Sequence, residues 1–118
     1  MTPRQIVQAF VDRFNAADID GLTDLYHEDA INHQVALEPV QGRAAIRAMF
    51  AHDLTAFKLT CTPENIFEDG DWGILEWKDP LGMRGCGFFH TEGGKIRLQR
   101  GYWDMLTFMK VHEAPVED

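Results

Sequence analysis

The chain reads as an α+β domain, with helices first and a sheet afterwards. Two stretches of its first half repeat apolar residues at helical spacing. Most of its second half alternates instead, and is cut by Asp69-Gly70, Asp79-Pro80-Leu81-Gly82 and Glu92-Gly93-Gly94, which are hairpin and turn signals. A sheet built from those segments carries too many aromatics on one face to leave it in water, so the helices must cover it.

Thr2-Pro3-Arg4-Gln5 starts the first helix: Thr2 caps, Pro3 suits the first helical position and Gln5 closes a capping box. Ile6, Val7, Phe10, Val11 and Phe14 form its apolar stripe. Asp20 is the expected cap of a short second helix that turns Leu22, Leu25 and Tyr26 inward. Ala30–Val35 reads as a strand, unusually polar at Asn32-His33-Gln34. After the loop Glu38–Gly42, the residues Ala45, Ile46, Met49, Phe50 and Leu54 mark a third helix. Leu59–Thr62 and Asn65–Glu68 make a β-run broken by Pro63, which implies an edge strand or a bulge. Two further strands flank Asp79–Gly82, another follows Gly94, and Ala114–Asp118 reads as a frayed acidic tail.

One domain over residues 1–118 accounts for the length, and the 45% hydrophobic content is that of a globular protein. A net charge of −8 disfavours nucleic acid as a partner. No apolar run approaches bilayer length, and polar residues interrupt any leader-like stretch at the N-terminus. Cys61 and Cys86 are too few for a disulfide scaffold, which points to a reducing, cytoplasmic setting. The five histidines show no metal-ligand spacing, and no glycine-rich nucleotide loop is present, so neither metal nor cofactor is expected.

Taking Asp79–Gly82 as a tight turn sets Trp77 opposite Arg84 and Leu75 opposite Cys86. One face then shows Leu75, Trp77, Arg84, Cys86, Phe88 and His90, with Trp103 beside them, and this face is expected to look at the helices. It has the make-up of a small-molecule pocket. Arg84 could stack on Trp77 or hold a ligand's acid or enolate group; equally, it could be a structural partner of Glu76 or Asp79. Trp77, Phe88 and Trp103 could be plain core, and Cys86 an inert thiol. Asn32 and Gln34 share a face and are harder to explain without a role. Asp104 reads as a cap or a partner of Arg100.

Leu25-Tyr26-His27-Glu28-Asp29-Ala30, Gly42-Arg43-Ala44-Ala45-Ile46, and the ending Gly94-Lys95-Ile96 … Arg100-Gly101-Tyr102-Trp103-Asp104 carry a resemblance. The chain resembles the SnoaL-like branch of the nuclear transport factor two-like superfamily, which shares its fold with ketosteroid isomerases, polyketide cyclases and limonene-epoxide hydrolases. The resemblance implies a cone-shaped roll, a curved antiparallel sheet wrapped around N-terminal helices, with a pocket between them. It also implies a homodimer through the outer sheet face, where Gly85 and Gly87 would admit a partner.

Carried over residue by residue, the isomerase tyrosine and two aspartates fall on Phe10, Gln34 and Cys86, so that route is lost. The epoxide hydrolase water-holding pair falls on Asn32 and Gln34. Its relay falls on Trp77, Asp79 and Gly101, of which only Asp79 keeps the chemistry. A cyclase-type acid or base would be Asp104, Asp79 or His33. The resulting expectation is a cofactor-free isomerase, cyclase or hydrolase for a small apolar substrate with a carbonyl or acid group. Asn32, Gln34, Asp79 and Arg84 would do the chemistry, and Phe10, Trp77, Cys86, Phe88 and Trp103 would form the wall. The alternatives are a non-catalytic ligand binder and a protein-interaction module.

Overall fold

Thr2 begins the first helix as its sequence requires. In the computed structural model, which describes residues 1–112, Thr2 Oγ1 accepts from Gln5 N at 3.2 Å and Gln5 Oε1 accepts from Thr2 N at 2.9 Å. The helix, α1, spans Pro3–Asn15 and buries Ile6, Val7, Phe10 and Val11. The second helix, α2 (Ile19–Thr23), is capped by Asp18 rather than Asp20. Asp20 falls in its first turn and pairs with Arg47 of α3 (Arg43–Ala56) at 2.8 Å. Gly42 turns the chain into α3 at φ 91°, and α3 buries Ile46 and Phe50.

Six strands form one curved, open sheet. They are β1 (Tyr26–Gln34), β2 (Val40–Gln41), β3 (Thr62–Asp69), β4 (Trp72–Lys78), β5 (Arg84–Glu92) and β6 (Lys95–Trp103), in the order β2-β1-β6-β5-β4-β3. The sheet is mixed rather than wholly antiparallel, because β1 runs parallel to β6 while the other pairings are antiparallel. Pro63 has both features its missing N–H implies: β3 is an edge strand, and its register slips between Pro63 and Asn65. The turns at Gly70, Gly93 and Gly94 hold positive φ as expected.

One turn differs by a single residue, with large consequences. Gly82 N donates to Asp79 O at 3.1 Å, which is the expected type I turn, but Gly82 itself sits at φ 102° and Asp79 N donates to Met83 O at 2.8 Å. The loop is therefore Pro80–Gly82, closed by Asp79 and Met83, and the left-handed glycine inserts one extra residue. Trp77 consequently pairs with Gly85, Leu75 with Gly87, and Lys78 with Arg84. Every side chain of β5 changes face relative to the tight-turn expectation.

A fourth helix, α4 (Met105–Val111), follows β6, beyond the elements expected from the sequence. Asp104 caps it, accepting from Thr107 N at 3.0 Å, which settles the role of Asp104. Met105, Leu106, Phe108 and Met109 have the helical spacing that signals it. The expected tail at Ala114–Asp118 lies outside the described residues. The core packs α1 and α3 against the inner sheet face around Phe10, Tyr26, Ile46, Phe50, Leu75 and Phe89.

Candidate functional site

Between the helices and the inner face lies a hollow of about 270 Å³. Its apolar wall includes Phe10, Phe50, Trp77, Phe89, Trp103 and Phe108. Trp77 and Trp103 therefore share one space, as the alternation of β4 and β6 predicts. They stand in one row, Trp77–Gly85–Trp103, and the Trp77 ring lies over Gly85, where a Cβ would collide with it. Gly85 and Gly87 belong to this inner face, not to the outer one; Gly85 makes room for the Trp77 ring of the neighbouring strand, and Gly87 for the Phe89 ring of its own strand.

The polar part of the wall is a chain of hydrogen bonds across the β1–β6 seam, where Asn32 pairs with Gln99 and Gln34 with Gly101. Trp103 Nε1 donates to Gln34 Oε1 at 2.9 Å, Gln34 Nε2 donates to Asn32 Oδ1 at 2.8 Å, and Asn32 Nδ2 donates to Gln99 Oε1 at 3.1 Å. Tyr26 OH donates to the same Gln99 oxygen. The direction of this chain is dictated at one end. An indole N–H can only donate, so Gln34 must turn its oxygen to Trp103, its amide nitrogen to Asn32, and so on to Gln99. Gln99 Nε2 is left without an acceptor among the described residues, and Gln99 lines the hollow. Burial pushes the Tyr26 phenol far above its ordinary value of 10.0, so it remains a donor.

Asp79 also lines the hollow. Its Oδ1 accepts from Leu81 N at 2.6 Å and its Oδ2 faces His112 Nε2 at 2.9 Å, with both side chains only 4% exposed. Of the three acid/base residues weighed from the sequence, Asp79 alone reaches this space. Asp104 is spent on capping α4, and the Thr107 hydrogen bonds hold its carboxyl below the usual range. His33 sits opposite Arg100, on the other face from Asn32 and Gln34.

The one-residue register change removes three expected members of the site. Arg84 is 69% exposed and pairs with Glu64 at 2.9 Å, across the sheet from the hollow. Cys86 lies opposite Glu76 and Tyr102 on that outer face. Phe88 packs edge-on against Tyr102 at 5.9 Å between ring centroids. The cation–π contact expected of Arg84 is made instead by Arg100, whose guanidinium lies 5.2 Å from the Trp72 ring and 5.9 Å from Phe88. Phe10, Asn32, Gln34, Trp77, Asp79 and Trp103 line the hollow together.

Residues absent from the sequence-based site include Gln99, Phe108 and Cys61 in the lining, and Tyr26 and His112 behind it. Gln99 was legible in principle, since it alternates with Gly101 and Trp103. Cys61 lines the hollow, but burial pushes its thiol up to about 12, so it is not a thiolate nucleophile. Among the described residues, no three His, Cys, Asp or Glu side chains converge in a way that could hold a metal. No helix there is long and apolar enough to cross a membrane.

The family described as SnoaL-like domain matches residues 7–99. Solved structures share the architecture. A ketosteroid isomerase-like fold protein from Catenulispora acidiphila, in complex with trimethylamine, is 18% identical at a TM-score of 0.82, over 98% of this chain and 96% of that one. An LEH-like epoxide hydrolase from M. tuberculosis is 22% identical at 0.79, over 92% and 87%. A putative polyketide cyclase from Sinorhizobium meliloti is 20% identical at 0.76, over 82% and 93%. At these identities the likeness is one of fold.

Proposed function

The chain belongs to the SnoaL-like domain family, and from that premise we propose that it is a cofactor-independent enzyme of the isomerase, cyclase or hydrolase kind that moves a proton on a neutral, apolar, carbonyl-bearing compound. The observation that carries this reading is the unspent Gln99 amide donor in a hollow that also holds Asp79. Gln99 Nε2 would hold the substrate oxygen and the negative charge that develops on it. Asp79 would take up and return the proton. Asn32 and Gln34 would act by fixing the direction in which Gln99 points.

Neutrality of the substrate follows from the lining. The ionisable carboxyls there are Glu38, Asp53 and Asp79, and no Arg or Lys lines the hollow among the described residues. With Arg84 on the outer face, an acid group on the substrate would have no counter-charge. The epoxide hydrolase and the putative polyketide cyclase among the structural neighbours make such chemistry reasonable for this fold.

The test uses 2-tetralone, a neutral bicyclic ketone with acidic α-protons. Incubated with the protein in D2O, it should exchange those protons faster than in buffer, followed by NMR. Exchange at the buffer rate would end the enzymatic reading.

A second reading is a non-catalytic binder. It is favoured by the engagement of both Asp79 oxygens, which resembles a structural carboxylate. Tight binding of 2-tetralone without exchange would select it. We also retain a homodimer through the outer face, supported by Trp72, Phe88 and the 41%-exposed Tyr102 gathered there. Light scattering that gives a monomer mass would remove it.

A further inference from the structure

We propose that His112 is a positioning residue for Asp79, brought to the site by α4. This rests on the role given to Asp79 above. Asp79 stands at the end of β4, where Leu81 N fixes one of its oxygens through the local turn. The turn alone does not fix the other oxygen. That is done from a distant part of the chain, by His112 Nε2 at 2.9 Å.

The geometry makes His112 more than a chance neighbour. The contact is nearly sealed from water, both side chains being 4% exposed. The imidazole packs beside two aromatic rings, tilted against Phe108 at 5.1 Å between centroids and edge-on to Phe57 at 6.5 Å. Phe57 and Phe108 in turn meet edge-on at 5.1 Å, and Phe108 reaches Trp103 at 5.4 Å. A ring packed against Phe108 at a tilt and edge-on to Phe57, with its side chain almost wholly buried, has little freedom, so its Nε2 presents a fixed direction to the carboxylate. Phe108 also lines the hollow, so α4 supplies both part of the wall and the partner of the acid. Leu81 N and His112 leave lone pairs on Asp79 for a substrate proton, since a carboxylate has about four acceptor sites.

A packing role and a positioning role predict different behaviour for two substitutions. His112→Phe keeps a ring between Phe57 and Phe108 but removes the hydrogen bond. His112→Gln places an amide nitrogen close to the position of Nε2 and restores it. With 2-tetralone as probe, His112→Phe should lower kcat for exchange about tenfold or more with KM little changed, and His112→Gln should recover most of that loss. Equal rates in wild type and His112→Phe, or equal losses in both variants, would overturn the proposal.

A second measurement does not depend on turnover, so it separates failure here from failure of the enzymatic reading. With 13Cγ-labelled aspartate, the Asp79 resonance should move in His112→Phe and stay near its wild-type position in His112→Gln. An unmoved resonance in His112→Phe would refute the positioning role even in an active enzyme. Should His112→Phe fail to fold, the wild-type protein still decides. A slowly exchanging imidazole Nε2 proton, lost in Asp79→Ala, is expected, and its absence would refute the contact itself.

Discussion

Trp103 Nε1 donates to Gln34 Oε1 at 2.9 Å, and this bond orients every amide behind it. Replacing Trp103 by Phe keeps an aromatic wall but removes the donor that holds Gln34 in one orientation. Gln34 and Asn32 can then invert, and Gln99 no longer presents a fixed N–H to the hollow. Titration of Trp103→Phe with 2-tetralone should show about fivefold weaker binding, the equivalent of roughly 1 kcal/mol for one neutral hydrogen bond. Unchanged affinity would mean that the amide chain does not touch the ligand.

Gln34 reaches Trp103 by crossing Gly101, where an added Cβ would overlap the Gln34 amide. Gly101→Ala should therefore displace Gln34 from a largely buried seam and cost about 1–3 kcal/mol in urea unfolding. The same change at Gly82 tests a different property. The site is open, but its φ of 102° disfavours any side chain, so the loss should come from backbone strain, about 1–2 kcal/mol.

Arg84→Ala should be nearly silent. The side chain is 69% exposed and its partner Glu64 is on the outer face, so stability should change by less than about 1 kcal/mol and 2-tetralone affinity not at all. A large loss of affinity would restore the inward Arg84 of the tight-turn register and refute the pairing of Trp77 with Gly85.

Alkaline stability should depend on Cys61. Burial raises its thiol from 9.0 in the unfolded chain to about 12 in the fold. A folded value above the unfolded one means a contribution fully present below pH 9 and lost as pH climbs toward 12. The slope from one such group is about 1.4 kcal/mol per pH unit. Tyr26, also raised, adds to the same loss above its ordinary 10.0. Urea midpoints between pH 8 and 11 should fall in wild type, and fall less steeply in Cys61→Ala. Parallel curves would contradict the burial of that thiol.

Much of the architecture was legible because it is written in local chemistry. The Thr2 capping box, the stripe from Ile6 to Phe14, the Asp69-Gly70 turn and the break at Pro63 each follow from neighbouring residues alone. The site was legible only where parity could be counted without crossing a turn. Asn32 and Gln34 are on one strand, and so are Gln99, Gly101 and Trp103. Arg84, Cys86 and Phe88 required a count across Asp79–Gly82, and one left-handed glycine reversed the result. His112 was illegible for another reason. Its contact with Asp79 joins segments distant in sequence through α4, a short helix directly after a strand, and no local pattern announces such a meeting.

The most direct test of the whole account is Asp79→Asn, assayed for binding and exchange on the same sample. Asn keeps the shape of the carboxyl and one of its two acceptor oxygens, while losing the ability to take a proton. The account predicts 2-tetralone affinity within about twofold of wild type and α-proton exchange reduced at least about a hundredfold, the range a general base contributes. Exchange that persists at the wild-type rate in Asp79→Asn would contradict it.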